Sequence, residues 1–254
     1  MAAIDYSRDN GLARITINRP TKRNALTAED WIALGRAGNL AVREKARAVL
    51  IRGAGGCFSS GFDISEIMPG QVDAMELINR TVNPALRAIR EIPVPTIAAI
   101  EGPCIGGGLG IAAACDVVLA SESAVFAAPY QKIGIMADAG LHVFLRDVIG
   151  YQRAAYLIFS GKMLSASEAL ALGLCADVID VTGFDAAVES FAIACATGPT
   201  QAFIRSKSVL RTAGCAEEGL AAEARLQNEV FASNDALEGI ASFLEGRKPG
   251  FTGT

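Results

Sequence analysis

The sequence is poor in the residues that hold metals and in those that grip nucleic acid. It has one histidine, His142, and six cysteines with no CxxC pair among them. A tetrahedral site draws on several His, Cys or carboxylate ligands at short spacings, so no metal is implied. Cys57, Cys104, Cys115, Cys175, Cys195 and Cys215 are scattered through apolar stretches and read as reduced thiols, not as a disulfide framework. Basic residues are not in excess. The 23 Lys and Arg stand against 27 Asp and Glu, a formal net charge of −4, which argues against the positive surface that binding a phosphate backbone needs. Long apolar runs are missing too: the longest region, residues 94–120, is broken by Glu101, Pro103 and a glycine cluster and makes a poor bilayer span. Met1-Ala2-Ala3-Ile4-Asp5 has no basic segment leading into an apolar one, so no signal peptide is expected and a cytoplasmic location is the default. Nucleotide fingerprints are absent, with no GxxxxGK[ST] and no GxGxxG followed by an acidic partner.

What is present is an apolar chain of 254 residues, 51% hydrophobic and 20% charged, able to bury a substantial core as one domain or a core with an appendage. Residues 12–18 alternate like a strand and stop at Arg19-Pro20. Thr27 can cap a helix with Trp31, Leu34 and Leu40 on one face, and Val49-Leu50-Ile51 reads as a buried strand. Residues 72–92 carry Leu77, Ile78, Val82, Leu86 and Ile89 at helical spacing, ended by Pro93 and Pro95 before a strand over 96–100. An apolar helix and a strand over 116–120 follow. Strand, loop and helix thus alternate through the first two-thirds, the pattern of a layered α/β core with parallel pairing. From about Gly140 helix follows helix: Ser165-Ala166-Ser167-Glu168 is a capping box, Pro199 and Thr200 open another helix, and residues 216–231 and 235–244 are the last two. Residues 175–181 read as one more short strand, and the tail from Arg247 is expected to be non-helical and loosely held.

Two glycine-rich stretches each follow a strand and precede a helix, which brings backbone amides to the mouth of a site. They run from Gly53 through Gly61-Phe62-Asp63-Ile64, and from Ile100 through Gly106-Gly107-Gly108-Leu109-Gly110. One amide from each loop could hold an oxyanion; tight turns alone would also account for the glycines.

Arg19-Pro20 with Lys22-Arg23-Asn24-Ala25-Leu26, then residues 58–64, Gly106-Gly107-Gly108, Cys115-Asp116, Glu238-Gly239, Phe243-Leu244-Glu245 and Arg247-Lys248-Pro249 resemble, in order, segments of the enoyl-CoA hydratase/isomerase (crotonase) family. The resemblance implies an α/β fold, a crotonase-like spiral of ββα units over 1–195, with a helical oligomerisation region over 196–254 that builds a homotrimer or a dimer of trimers. It implies an acyl-CoA thioester as substrate and no cofactor beyond the coenzyme A that the substrate carries. It places oxyanion donors at the amides of Phe62 and Gly107, where losing one such donor typically costs roughly 2.7–4 kcal/mol. Phe62 is bulkier than the family's usual residue, so its ring must turn away to leave the amide free. The resemblance also points to CoA contacts around Arg23, Ala25 and Ile64, with Arg23 or Lys248 near the phosphates; solvated surface charge explains both cations equally well.

The two glutamates of the family's hydratases fall here at Gly110 and Tyr130. Neither replaces a carboxylate base, and adding water needs both water activation and proton delivery. Asp138 instead matches the position at which some members, dienoyl-CoA isomerases among them, carry a catalytic aspartate. One base suffices for an isomerase: it takes a proton from one carbon and returns it two carbons along. Asp138 could otherwise simply cap the helix that follows. His142, one turn further, could orient or balance it, and Tyr130 could bond the acyl group or serve as an aromatic wall. Competing readings are an aryl-CoA dehalogenase or hydrolase using Asp138 as nucleophile, a hydratase by an atypical mechanism, and a non-catalytic acyl-CoA-binding homologue. The dehalogenase branch also needs a histidine upstream of the second loop, and none stands there.

Overall fold

In the computed structural model, residues 3–67 and 72–254 are described. The chain opens with β1 (Ile4–Asp9) and β2 (Leu12–Ile17), an antiparallel hairpin closed by Asn10-Gly11. Both turn residues sit at positive φ, 48° and 81°, the backbone that a two-residue primed turn requires. β1 is an addition to the expected strand over 12–18. Thr27 starts α1 (Ala28–Arg43) with a full capping box, its side chain accepting from Asp30 N while the Asp30 carboxylate accepts from Thr27 N. β3 (Ala48–Gly53) follows.

The helix expected over 72–92 is interrupted. α2 (Ala74–Leu77) passes into a π-helical turn over Ile78–Val82 and then into α3 (Asn83–Arg90). Next come β4 (Thr96–Ile100), β5 (Pro103–Ile105), α4 (Gly107–Ala114), β6 (Val117–Ser121) and β7 (Val125–Ala127). After a 3-10 turn over Tyr130–Ile133 the chain forms α5 (Leu141–Ile149), α6 (Tyr151–Ser160), β8 (Leu164–Ser165), α7 (Ala166–Leu172), β9 (Asp177–Ile179) and α8 (Phe184–Thr197). α9 (Thr200–Thr212), α10 (Ala216–Phe231) and α11 (Asn234–Glu245) close it. No helix among the described residues is long and apolar enough to cross a membrane.

The larger sheet has the order β1-β2-β3-β4-β6-β9 and is parallel after its first pair; β5-β7-β8 form a smaller second sheet. β4–β5–α4 and β6–β7–α5 each send one strand to either sheet and then a helix, which is the expected ββα repeat. Both faces of the large sheet are covered. Ile15, Val49, Ile51, Ala98 and Ile100 pack with Trp31, Leu34, Leu86 and Ile89 on one side, while Leu12, Leu50, Ile97 and Leu119 pack with Phe184, Val188 and Ala192 of α8 on the other. Burial on two faces is why β3 and β4 read as unbroken apolar runs.

At the N-terminal ends of the parallel strands α9 is latched to the sheet. The buried Lys207 Nζ donates to Val94 O at 2.8 Å and lies 2.6 Å from Asp116 Oδ2, and Arg211 reaches Asp116 Oδ1 at 2.7 Å. The tail is not loosely held, contrary to expectation. Asp235 accepts from Thr252 N at 2.7 Å and from Gly253 N at 2.9 Å, and Arg47 donates to Phe251 O. A short sequence with no helical or strand period gave no sign of these carboxylate-to-backbone ties.

Candidate active site

The loop that follows β3 runs against the segment from the end of β4 through β5 to the start of α4, and polar side chains brace it. Asn24 is fully buried in the left-handed region (φ 53°). Its Nδ2 donates to Ala54 O at 2.9 Å and to Cys57 O at 2.5 Å, and its Oδ1 accepts from Arg19 N at 2.8 Å. Arg19 also pairs with Asp63 at 2.7 Å. The carboxyl of Asp63 is held below its usual range by hydrogen bonds from Ser65, with Arg19 adding to the effect against the opposing influence of burial. Ser59 Oγ accepts from Gly61 N, and Gly61 O accepts from Leu26 N. The residues 19–26 thus brace the turn that carries Phe62.

Gly61 and Gly107 touch across the two loops. A Cβ on Gly61, at φ 89°, would lie 2.7 Å from Gly107 N, and one on Gly107 would lie 2.9 Å from the Trp31 ring. Only glycine permits this approach. Among the described residues neither Phe62 N nor Gly107 N donates to another protein group. Both residues line a cavity of about 540 Å³, in the range of small-ligand sites. The half-buried Phe62 side chain packs against the core, and its backbone N–H has no protein acceptor among the described residues.

Asp138 lines the same cavity. Tyr130 Oη donates to Asp138 Oδ1 at 2.6 Å, so the tyrosine is the aspartate's partner in this chain. Burial raises the pKa of Asp138, opposed by the Tyr130 hydrogen bond and the nearby His142. Burial, followed by the charge of Asp138, pushes the Tyr130 phenol far above its ordinary value, so it stays a neutral donor. Asp138 does not cap α5 with its side chain. Gly140 is the N-cap with no side-chain hydrogen bond, and it is the Asp138 carbonyl that accepts from Leu141 N. Ala139 (φ 52°) and Gly140 (φ 74°) turn the chain sharply and leave the carboxylate in the cavity wall.

Gly110, at the position of a hydratase glutamate, has no room for a side chain: a Cβ there would lie 2.3 Å from Ala139 O and 2.7 Å from Ala139 Cβ. Helix α4 and the Asp138 loop are in direct apposition, which occupies the space a carboxylate would take.

Ile64 and His142 line the cavity, both exposed, His142 on α5. Arg23 and Ala25 do not line it. They stand one step out, where Arg23 O accepts from Ser60 N, and Ser60 does line it. Lys248 is also absent from the lining of its own chain's cavity; it follows Arg247, which is paired with Glu238 on α11. Ser60 and Asn83 are cavity residues that sequence reading missed. The cluster of Asn79, Thr81 and Asn83 within an otherwise apolar helical period was the available signal for the second.

The model of the family described as enoyl-CoA hydratase/isomerase matches residues 7–254. A Rhodobacter capsulatus protein named "Probable enoyl-CoA hydratase" is 36% identical over 257 residues, spanning 98% of this chain and 98% of that one. 4-Chlorobenzoyl coenzyme A dehalogenase-2 of an Arthrobacter species is 31% identical over 202 residues, covering 78% of this chain and 73% of its own length. A solved enoyl-CoA hydratase from Bacillus anthracis superposes with a TM-score of 0.92 at 27% identity, covering 99% of this chain and 100% of that chain. The chain belongs to the enoyl-CoA hydratase/isomerase family, and its mixed α/β architecture matches the crotonase fold of its solved neighbours.

Proposed function

We propose that this protein shifts a double bond along the acyl chain of an enoyl-CoA, using Asp138 as the single acid/base and the amides of Phe62 and Gly107 as oxyanion donors. The observation that carries the reading is that a partly buried carboxylate, bonded on one oxygen by Tyr130, shares one apolar-walled cavity with two backbone amides that have no protein acceptor among the described residues. The free Asp138 Oδ2 takes a proton from C2 of a 3-enoyl thioester. The C2–H electrons move into a dienolate whose negative oxygen accepts from the two amides. The proton returns at C4, so one C–H bond breaks, another forms, the double bond lies between C2 and C3, and Asp138 is regenerated. The raised pKa makes the carboxylate a stronger base for a weakly acidic carbon. A two-carboxylate hydration is disfavoured because Gly110 and Tyr130 occupy the glutamate positions and Gly110 is packed against Ala139.

The test supplies matched 3-enoyl-CoA and 2-enoyl-CoA and follows migration against water addition. Migration without a hydroxyacyl product is expected; a hydroxyacyl-CoA as main product overturns the reading. A second reading, Asp138 as nucleophile on an aryl-CoA, is favoured by the similarity to the Arthrobacter dehalogenase. It requires an adduct on Asp138, seen by mass spectrometry, after incubation with 4-chlorobenzoyl-CoA.

In the same reading CoA approaches past Ile64 and the Arg23–Ala25 loop, and Lys248 meets its phosphates by way of a neighbouring subunit. Leu210, Phe243 and Leu244 of the C-terminal helices are 87%, 84% and 79% exposed, which supports a homo-oligomer built on that layer. A monomer in sedimentation equilibrium would remove Lys248 from the site.

A further inference from the structure

The wall of the cavity supplied by residues 72–83 is aliphatic with one exception. Val72, Leu77, Ile78 and Val82 line it together with Asn83, the first residue of α3. Of the other polar residues in the lining, Tyr130 and Asp138 bond each other, Ser60 is tied through its backbone N–H to Arg23 O, and His142 is exposed. Asn83 is half-buried and its amide is only partly used, Nδ2 donating to Asn79 Oδ1 at 3.1 Å. A primary amide has two N–H donors and an acceptor oxygen, so one donor and the oxygen remain without a partner among the described residues. The residue stands directly after the π-helical turn over Ile78–Val82, and Pro84 follows it in the first turn of α3. A π turn inserts an extra residue into the helical repeat and turns the following side chains to a different face, a device common at functional sites. An amide so placed would lose its water to a plain alkyl chain and gain nothing in return.

We infer that Asn83 is a specificity-determining residue that selects acyl-CoAs carrying a hydroxyl or carbonyl substituent on the acyl chain over unsubstituted ones. This rests on the acyl-CoA reading of the cavity and not on which reaction follows. A hydroxyl donates to the free amide oxygen and a carbonyl accepts from the free N–H, so either substituent gives the amide a hydrogen bond that an alkyl chain cannot.

The experiment is calorimetric titration with saturated acyl-CoAs of one chain length, which have no double bond to migrate, comparing the plain chain with a series in which one hydroxyl or keto group is walked along it. In the native protein one substituted position binds roughly threefold to tenfold more tightly than the plain chain, the worth of one net hydrogen bond. Asn83→Leu abolishes that preference, and Asn83→Ala, which removes the amide without adding volume, does the same. The inference is overturned if no substituted chain surpasses the plain one, if the preference survives in either variant, or if no acyl-CoA binds at all. Turnover of 3-enoyl-CoA is measured in parallel: retained binding preference without migration sinks the isomerase reading and leaves the role of Asn83 standing.

Discussion

Replacing Tyr130 by Phe deletes one oxygen from the cavity wall and leaves the ring in place. That oxygen donates to Asp138 Oδ1 at 2.6 Å and is the one side-chain hydrogen bond the carboxylate receives among the described residues. Burial raises the Asp138 pKa, and the Tyr130 bond and His142 oppose the rise, so without the bond the pKa climbs further. A hydrogen bond to a charged group is worth about 1.5–3 kcal/mol. At 1.36 kcal/mol per pH unit, the acid limb of the kcat/KM profile should move upward by roughly one to two pH units. The sign follows from the role: the base works only when deprotonated, so activity is lost as pH falls through the Asp138 pKa, and the Phe variant loses it earlier. Double-bond migration followed by absorbance across a pH series measures this directly. An acid limb that stays in place or moves downward, in a variant that folds normally, would refute the claim that Tyr130 stabilises the working carboxylate.

Asp138→Asn keeps the shape and removes the base, so kcat should fall by about 10²–10⁴-fold with little change in KM, measured in steady-state kinetics on a 3-enoyl-CoA. Gly110→Ala places a Cβ 2.3 Å from Ala139 O, an overpacking expected to cost about 1–3 kcal/mol, read as a lower thermal midpoint. Its turnover should fall as well, because the loop that must yield is the one carrying Asp138. Asp116→Asn leaves the buried Lys207 without its carboxylate, which itself stands at the surface, and should destabilise the fold by about 1–3 kcal/mol, the cost of a buried donor losing its partner. Chemical denaturation checks it, and the Asp138 pH profile should be unaffected.

The large elements were legible where a single local cause fixes them. The Thr27 and Ser165 capping boxes announced their helices, and the doubly buried strands showed as apolar runs. Asp138, which lies in the cavity wall, was legible as a candidate through its motif. Its partnership with Tyr130 was not, because the contact depends on a 3-10 turn and on Ala139 and Gly140 at positive φ, which hydrophobic period does not encode. Asn83 was hidden for a related reason. Residues 72–92 were read as one α-helix, and the π turn alters which residues share a face beyond it. Residues 103–105 were read as part of the second glycine-rich stretch, yet β5 there opens the smaller sheet, whose strands of two or three residues are too short to show alternation.

In the proposed reaction the anion-holding amides and the carboxylate are carried by separately built parts. The amides come from two loops fixed by a buried asparagine and by glycine-on-glycine contact, whereas Asp138 rides on a short connector between the 3-10 turn and α5. Rewriting that connector would change what happens to the intermediate while the machinery that tolerates its charge stays untouched. A scaffold divided in this way can acquire a new reaction by altering a handful of positions between Tyr130 and His142, without having to reinvent the means of surviving the negative oxygen.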